Sequence, residues 1–235
     1  MSLNVQRPAV NRLLASLPRD EYKRLLPELK QIALTFGEVL YEPGDTIKHV
    51  YFPNDSIVSL LSAMSERSTL EVGMVGNEGM TGLSVFGGVN VSVTRAIVQG
   101  TGSAMRMASA VVRREANRLG PFHQLLHRYT HSLQSQVSQS VACNRFHSVN
   151  DRLARWLLMT SDRLGTDEFR LTQEFMSNML GVRREGVNQA AATLQSAKLI
   201  RYSRGMITIL NRGRLRVNAC ECYSIIKAES DQYLN

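Results

Sequence analysis

The sequence predicts an α+β fold with three parts: a β-sandwich of the jelly-roll type, one long helix, and a helix-turn-helix unit followed by a β-hairpin. Short β-branched and aromatic segments, cut by turn residues, fill positions 36–107. A stretch without internal glycine or proline follows Pro121, and two amphipathic helical patterns meet at a glycine between 171 and 194. We accordingly expect three domains: 1–120 (sandwich), 121–147 (long helix and hinge) and 148–235 (carboxyl-terminal domain).

The sandwich region is rich in turn residues. Pro43-Gly44-Asp45 and Pro53-Asn54-Asp55 are typical of turns between strands. Half of the sixteen glycines lie between Gly73 and Gly102. Many short strands joined by glycine turns favour a small jelly roll or barrel.

The long stretch after Pro121 has a heptad-like spacing, which predicts pairing with the same helix of a second copy. The positions are Leu126, Thr130, Leu133, Val137 and Ser140. Burial of this face against the sandwich of the same chain is the alternative. Ser148 and Asp151 resemble a capping box that opens a further helix, so we expect a hinge at 146–149.

The segment 171–194 is organised as two helices around a tight turn. Thr172 is a candidate N-cap for the first helix, and Gly181 provides the turn because glycine reaches left-handed backbone angles without steric cost. In the second helix, an apolar stripe at i, i+3, i+4 and i+7 comprises Val187, Ala190, Ala191 and Leu194. The other face comprises Arg183, Arg184, Glu185, Asn188, Gln189 and Ala192. A narrow polar face that starts with cations suits the major groove of DNA.

A hairpin with basic residues follows the helix pair. Alternating apolar and polar residues flank Ser203-Arg204-Gly205, and a helix pair followed by such a hairpin is the order of a winged helix. We expect Arg201 and Arg204 to contact DNA phosphates, which position the protein without reading sequence. The net charge of +8 allows nucleic acid or a membrane surface as partner. Residues 181–216 contain eight Lys/Arg against one acid, so the charge lies on the winged helix and favours double-stranded DNA.

Other functional classes find little support. The sequence lacks the phosphate-binding and dinucleotide-binding glycine motifs, and His49 is the only histidine in the strand region, so we expect no enzymatic activity. The three cysteines have no framework spacing, which favours a reducing cytoplasm, and we assign no metal site to them. We also expect no signal peptide and no membrane span.

The segment LGVRREGVNQ resembles the recognition segment of the cyclic-AMP receptor protein and FNR (CRP/FNR) group of bacterial transcription regulators. By position, Arg184 and Glu185 match the pair with which that family contacts bases and phosphates. A later arginine of the family pattern is replaced by Gln189. Since arginine reads guanine and glutamine prefers adenine, we expect this chain to read a different half-site. The resemblance also implies a homodimer on a pseudo-palindromic operator, and contact with RNA polymerase where the regulator activates.

The sandwich resembles the same family in GEVLYEPGD, in VYFPNDSIVSLL and in the segment 75–98. In members that bind cyclic nucleotide, the last segment holds the ribose with a glutamate and the cyclic phosphate with an arginine. Here the glutamate position falls on Gly82, whereas Arg95 matches the arginine. The implied small-molecule effector pocket consists of Gly82, Leu83, Ser84, Thr94 and Arg95. Without the glutamate, we do not expect cyclic AMP to bind in the usual way, and we interpret nearby Glu78 as a solvated turn acid.

Two alternatives remain for the sandwich domain, and its cofactor is unassigned. One is a regulator that binds DNA without any effector. The other is a metal-responsive or haem-responsive sensor that uses His123, His127 and His131, which are spaced along one face of the long helix. An iron–sulfur sensor usually requires four thiolates, whereas this chain has three cysteines.

Overall fold

The computed structural model describes residues 10–65 and 68–234, and it confirms a mixed α+β fold with a β-sandwich, a long helix and a winged helix. The strands are β1 (Lys30–Leu34), β2 (Val39–Tyr41), β3 (His49–Pro53), β4 (Ile57–Ser65), β5 (Ser68–Val75), β6 (Arg95–Gly100), β7 (Gly102–Ala108), β8 (Glu168–Arg170), β9 (Ile200–Ser203) and β10 (Met206–Ile209). The helices are α1 (Arg12–Ala15), α2 (Arg19–Leu25), α3 (Ser109–Ala116), α4 (Pro121–Phe146), α5 (Val149–Leu164), α6 (Gln173–Leu180), α7 (Arg184–Ser196), α8 (Arg212–Asn218) and α9 (Cys222–Tyr233). Short 3₁₀ turns lie at Leu26–Glu28 and Leu83–Val85.

The sandwich consists of two antiparallel sheets, with strand orders β1-β7-β3 and β2-β6-β4-β5. Strand β4 shows how both faces of the four-stranded sheet are used. Val58 points between the sheets and joins the core that contains Phe52 and Val98. Ile57 and Leu61 point to the opposite side and join a second core. Both faces of this sheet are therefore covered, because successive side chains of a strand point to opposite faces and both sets are buried here.

The second core joins the sandwich to the carboxyl-terminal domain. Met74 of β5 belongs to the same buried cluster as Trp156 and Leu157 of α5. Helix α4 ends at Phe146, and the Ser148–Asp151 capping box that opens α5 is confirmed. The chain thus turns sharply between α4 and α5, and α5 packs back onto the sandwich.

Two glycines after β5 allow helices to approach the backbone closely. A Cβ atom on Gly76 would lie 2.6 Å from Cγ of Arg163, and one on Gly79 would lie 2.3 Å from the hydroxyl oxygen of Tyr129. Because no side chain fits at either position, these glycines are required by packing against α4 and α5.

The heptad-like face of α4 is partly packed inside this chain, and its contact with a second copy stays a prediction. Leu126 is fully buried in the sandwich core, Leu133 packs against the same core, and Ser140 is buried. The Thr130 hydroxyl donates to the carbonyl of Leu126 at 2.7 Å. Val137 is half-buried. Both leucines find an apolar partner in the neighbouring sandwich, which is the alternative that the sequence left open.

Candidate nucleic-acid interface

The helix-turn-helix forms as its local sequence signals predict. Thr172 caps α6, its hydroxyl accepting a hydrogen bond from the backbone N–H of Phe175 at 3.1 Å. Gly181 ends α6 in the left-handed conformation, with φ of 60°. The predicted apolar stripe of α7 is buried in full: Val187, Ala190, Ala191 and Leu194. This burial fixes which face of α7 remains outside.

The outer face of α7 is polar and accessible. Its exposed residues are Arg183, Arg184, Glu185, Asn188, Gln189 and Ala192. Arg184 Nε donates to Gln173 Oε1 at 3.3 Å, which connects the start of α7 to the start of α6. The two helices thus present their amino-terminal ends side by side. In helix-turn-helix proteins this is the edge that meets DNA.

The wing is a two-residue hairpin on a small sheet of order β8-β10-β9. Ser203 pairs with Met206, so Arg204 and Gly205 form the turn, with φ of 50° and 77°. Positive φ at both central residues is typical of a type I′ turn. Arg204 is exposed at the tip, and Arg201 Nη2 lies 3.5 Å from Thr208 Oγ1 on the next strand.

Not all cations of the 181–216 segment face solvent freely. Arg212 donates to Asp162, and its Nη1 lies 3.1 Å from a carboxylate oxygen of Asp167, so it stabilises the packing of α8 on α5. The guanidinium of Arg216 lies 5.8 Å from the ring centre of Tyr223. By contrast, the cations of the predicted interface are exposed: Arg183, Arg184, Arg201 and Arg204.

The turn of the helix-turn-helix rests directly on the sandwich. Thr69 Oγ1 of β5 donates to the carbonyl of Asn178 at 3.2 Å, and a Cβ on Gly181 would lie 2.9 Å from Cδ1 of Leu70. A cavity of about 770 Å³ opens beside this contact and is also lined by Arg183 and Arg184. The sandwich therefore touches the segment that sets the position of α7.

A half-buried acid with a shielded carboxylate oxygen, Glu71, lies between the sandwich and α5. Trp156 Nε1 donates to Glu71 Oε1 at 2.9 Å, and Glu71 Oε2 is shielded from solvent without a hydrogen-bond partner. Burial raises the pKa of Glu71 to about 7, against the opposing effects of the Trp156 hydrogen bond and of the Arg155 and Arg163 charges. The protonation state of this domain contact therefore changes near neutral pH.

Glu78 is not a solvated turn acid, which corrects our sequence interpretation. It is 7% exposed, and its Oε1 accepts a hydrogen bond from Arg163 Nε of α5 at 2.8 Å. The sequence signal is a lone acid in a glycine-rich turn. The burial arises from α5, which is far away along the chain.

The residues of the expected effector pocket are engaged within the fold. Gly82 is buried with φ of 77°, and a Cβ there would lie 3.1 Å from Val50 and 3.2 Å from Ile47. Leu83 and Ser84 enter the 3₁₀ turn. Arg95 Nε donates to a carboxylate oxygen of Glu42 at 2.7 Å. Thr94, the preceding residue, is half-buried. A nearby cavity of about 470 Å³ is lined instead by residues between Leu40 and Tyr51.

The three histidines of α4 have structural contacts. The rings of His123 and His127 lie 4.6 Å apart and both pack edge-on against Phe86. His123 Nδ1 lies 2.9 Å from the carbonyl of Ala116, and His131 Nε2 lies 3.7 Å from Glu229 of α9. Among the described residues, these histidines do not gather around one point as metal ligands would.

A different group of ligand atoms was missed by the sequence reasoning. The ligand atoms of Cys143, His147, Cys220 and Cys222 all lie within 4.8 Å of one another. The local signals are a cysteine and a histidine four residues apart and a Cys-x-Cys pair. Cys143 and Cys220 are 77 residues apart, so sequence alone did not join the two signals. The hydrogen bond from Cys220 and the charge of Arg155 lower the pKa of the Cys143 thiol.

Comparisons with known proteins agree with this architecture. Residues 151–217 match the model of the Crp-like helix-turn-helix domain. A regulator of the Crp/Fnr family from Eubacterium rectale has 18% identity and a TM-score of 0.67, over 88% of this chain and 96% of that one. FixK2 from Bradyrhizobium japonicum has 16% identity and a TM-score of 0.70, over 82% and 98%. The c-di-GMP-responsive regulator CLP from Xanthomonas campestris has 14% identity and a TM-score of 0.65, over 82% and 99%. Curated protein sequences give no match.

Residues 151–217 therefore form a Crp-like helix-turn-helix domain, and the sheet β8-β10-β9 is its wing. The overall fold is shared, over most of both chains, with the solved structures named above. Among the described residues, no helix is long and apolar enough to cross a bilayer.

Proposed function

We propose that this protein is a transcription regulator of the CRP/FNR type that binds a pseudo-palindromic DNA site as a homodimer, with α7 in the major groove and the wing beside the phosphate backbone. The observation that carries the proposal is the exposed polar face of α7, together with an exposed arginine at the tip of the wing. Base contacts are assigned to Arg184, Glu185, Asn188 and Gln189. Phosphate contacts are assigned to Thr172, Arg183, Arg201 and Arg204.

Selection of binding sequences from random duplexes tests this proposal. A twofold dimer should return two related half-sites whose centres lie about one helical turn apart. An Arg184→Ala and Gln189→Ala double variant should lose the consensus while retaining weak, salt-sensitive binding. A selection that returns no palindromic consensus would contradict the proposal.

We propose that the dimer forms through the exposed face of α4. The exposed residues of this face are spaced alternately four and three positions apart. They are His127, His131, Gln134, Ser138, Val141 and Arg145. Val141 is 64% exposed, whereas Leu126 of the heptad-like face is fully buried. Val141→Glu should therefore convert dimer to monomer in sedimentation experiments, while Ala228→Glu, at an exposed position of α9, should not. A dimer that tolerates Val141→Glu would place the contact elsewhere.

We propose that the sandwich does not hold cyclic AMP in the family's usual way. Gly82 supports this view, because a glutamate there would require an unfavourable positive φ and would meet Val50 and Ile47. Arg95 is also engaged by Glu42. An effector of different chemistry or a ligand-independent regulator both fit these observations. Operator affinity measured with cyclic AMP, cyclic GMP and cyclic di-GMP separates them, since CLP is described as c-di-GMP-responsive.

We place the domain boundaries before Pro121 and at Ser148, where α4 and α5 begin. In this arrangement the hinge at 146–149 allows the two winged helices of the dimer to change their orientation relative to the sandwich. The change would accompany the binding of DNA or of an effector. An effector can do so only through different affinities for the two orientations. Transcription in vitro from the selected operator would show whether the dimer activates, through RNA polymerase, or represses.

A further inference from the structure

Three cysteines and a histidine from two distant segments form one compact group. Cys143 and His147 lie at the end of α4, whereas Cys220 and Cys222 lie at the junction of α8 and α9. The Sγ atoms of Cys143 and Cys220 are 3.5 Å apart, and Cys222 Sγ is 3.5 Å from His147 Nδ1. All three cysteines are buried and free. We propose that these four side chains bind one zinc ion, which fastens the interdomain hinge to the carboxyl-terminal helices.

Two of the separations match a single tetrahedral ion, and all ligand atoms lie within 4.8 Å of one another. With Zn–S bonds of about 2.3 Å and a Zn–N bond of about 2.0 Å, the sulfurs lie about 3.8 Å apart and sulfur and nitrogen about 3.5 Å apart. The two 3.5 Å separations are close to these values. Three cysteines with one histidine are also a frequent ligand set of structural zinc. A disulfide is a different arrangement, because its sulfurs lie about 2.05 Å apart.

The surroundings of the group are those of a metal site. His147 Nε2 lies 3.3 Å from a carboxylate oxygen of Glu221, which leaves Nδ1 directed at Cys222. Such a carboxylate commonly fixes the ring of a metal-binding histidine. Gln139 Nε2 donates to Cys222 Sγ at 3.1 Å, and a hydrogen bond of this kind stabilises a thiolate. The ligand side chains are therefore held in place by residues that do not coordinate.

The charge around the group is also complementary. One zinc ion with three thiolates carries a net charge of −1. Arg152 and Arg155 are 7% and 6% exposed, and the charge of Arg155 acts on Cys143. In the described chain, the Nε atom of each arginine has no hydrogen-bond partner. Buried cations require nearby negative charge, and zinc-bound thiolates would provide part of it, beside the Glu71 carboxylate near Arg155.

The position of the site gives it a structural consequence. His147 is the residue between α4 and the cap of α5, so a bound ion restricts the hinge expected at 146–149. Cys222 is the first residue of α9, a helix that packs along α4. Zinc would thus connect the end of α4, the hinge and the start of α9 at one point. This inference does not depend on which DNA sequence the protein reads.

Metal analysis of the purified full-length protein tests the inference, together with thiol titration. We expect one zinc per chain, and a chelator should expose three reactive thiols that zinc protects again. Replacement by Co²⁺ should give the visible bands of a tetrahedral thiolate site. A folded protein with no zinc, no cobalt bands and no thiol protection would overturn the proposal, as would stoichiometric iron with sulfide.

Variants locate the ion without relying on the ligands alone. Cys222→Ser and His147→Ala should remove the cobalt bands, whereas His131→Ala, which changes an exposed histidine of the same helix, should leave them intact. Glu221→Gln keeps all four ligands and should weaken zinc affinity by about 10-fold to 100-fold. Bands that persist in Cys222→Ser and disappear in His131→Ala would place the metal on the histidine face instead.

Discussion

The carboxylate of Glu78 accepts a hydrogen bond from Nε of Arg163 at 2.8 Å, and the two side chains are only 9% and 8% exposed. Glu78 follows β5 of the sandwich, and Arg163 lies near the end of α5. The absence of a side chain at Gly76 allows the Arg163 stem to reach this position. The pair is therefore a buried ionic connection between the sandwich and the helix that leads into the winged helix.

Breaking this connection from one side should be costly. Arg163→Met keeps much of the side-chain volume but leaves the Glu78 carboxylate buried without its cation. We expect the free energy of unfolding to fall by about 3–5 kcal/mol, as for other broken buried pairs. Urea titration monitored by Trp156 fluorescence measures this free energy of unfolding. The double variant with Glu78→Gln should recover part of the loss, and equal losses in both variants would show that Arg163 acts through packing alone.

A matched control for this variant lies on α9. Lys227 is 46% exposed and pairs with Asp231 at 3.1 Å on the helix surface. Because exposed pairs contribute little, Lys227→Met should lower the free energy of unfolding by less than about 1 kcal/mol.

The stability of the protein should depend on pH through Glu71. Its folded-state pKa is raised to about 7, so the folded protein keeps a proton that the unfolded chain releases above pH of about 4.5. Stability from this group is present at low pH and is lost as pH rises from about 4.5 to about 7. Glu71→Gln should remove that loss and stabilise the protein at pH 8 by up to about 3 kcal/mol.

Urea titrations of both proteins at pH 5 and pH 8 measure this effect. The gain from Glu71→Gln should be large at pH 8 and small at pH 5. Glu168→Gln changes an exposed glutamate and should show no such difference. A Glu71→Gln protein less stable than the parent at pH 8 would mean that the carboxylate is stabilised by Arg155 and Arg163 more than burial opposes it.

The helix-turn-helix was predictable because its signals are local. Thr172 caps α6, Gly181 ends it, and the period of α7 defines its buried stripe within a few turns of chain. Glu78 was not predictable, since its burial is produced by a residue 85 positions away. The same holds for Cys143, whose neighbours lie on a later helix junction.

The heptad-like face of α4 shows a further limit of the sequence pattern. Spacing identifies a face that will be buried, as Leu126 is, but does not state whether the partner is the same chain or a second copy. The expected effector residues show a related limit. A resemblance locates Gly82 and Arg95 in the sequence, whereas Glu42 pairs with Arg95 only in the folded chain.

The wing should contribute affinity without sequence preference. Arg204→Asn removes one charge while keeping a residue that tolerates the positive φ of 50° at this turn position. We expect all DNA sequences to bind more weakly by a similar factor, and the salt slope to fall by about 1. Fluorescence anisotropy at several salt concentrations measures both. Arg19→Asn makes the same charge change at an exposed position of α2. It should leave the salt dependence of DNA binding unchanged. A change in consensus would instead assign Arg204 to base reading.

The base preference of α7 should change at one position when Gln189 is replaced by arginine. Gln189 is exposed on the groove-facing side, one turn after Glu185. Glutamine pairs with adenine and arginine with guanine, each worth about 1–3 kcal/mol of discrimination. Gln189→Arg should thus replace an adenine by a guanine once in each half-site of the selected consensus. Gln232→Arg adds the same charge at an exposed position of α9 and should leave the consensus unchanged. An unaltered consensus for Gln189→Arg would remove this residue from the base-reading set and leave discrimination to Arg184, Glu185 and Asn188.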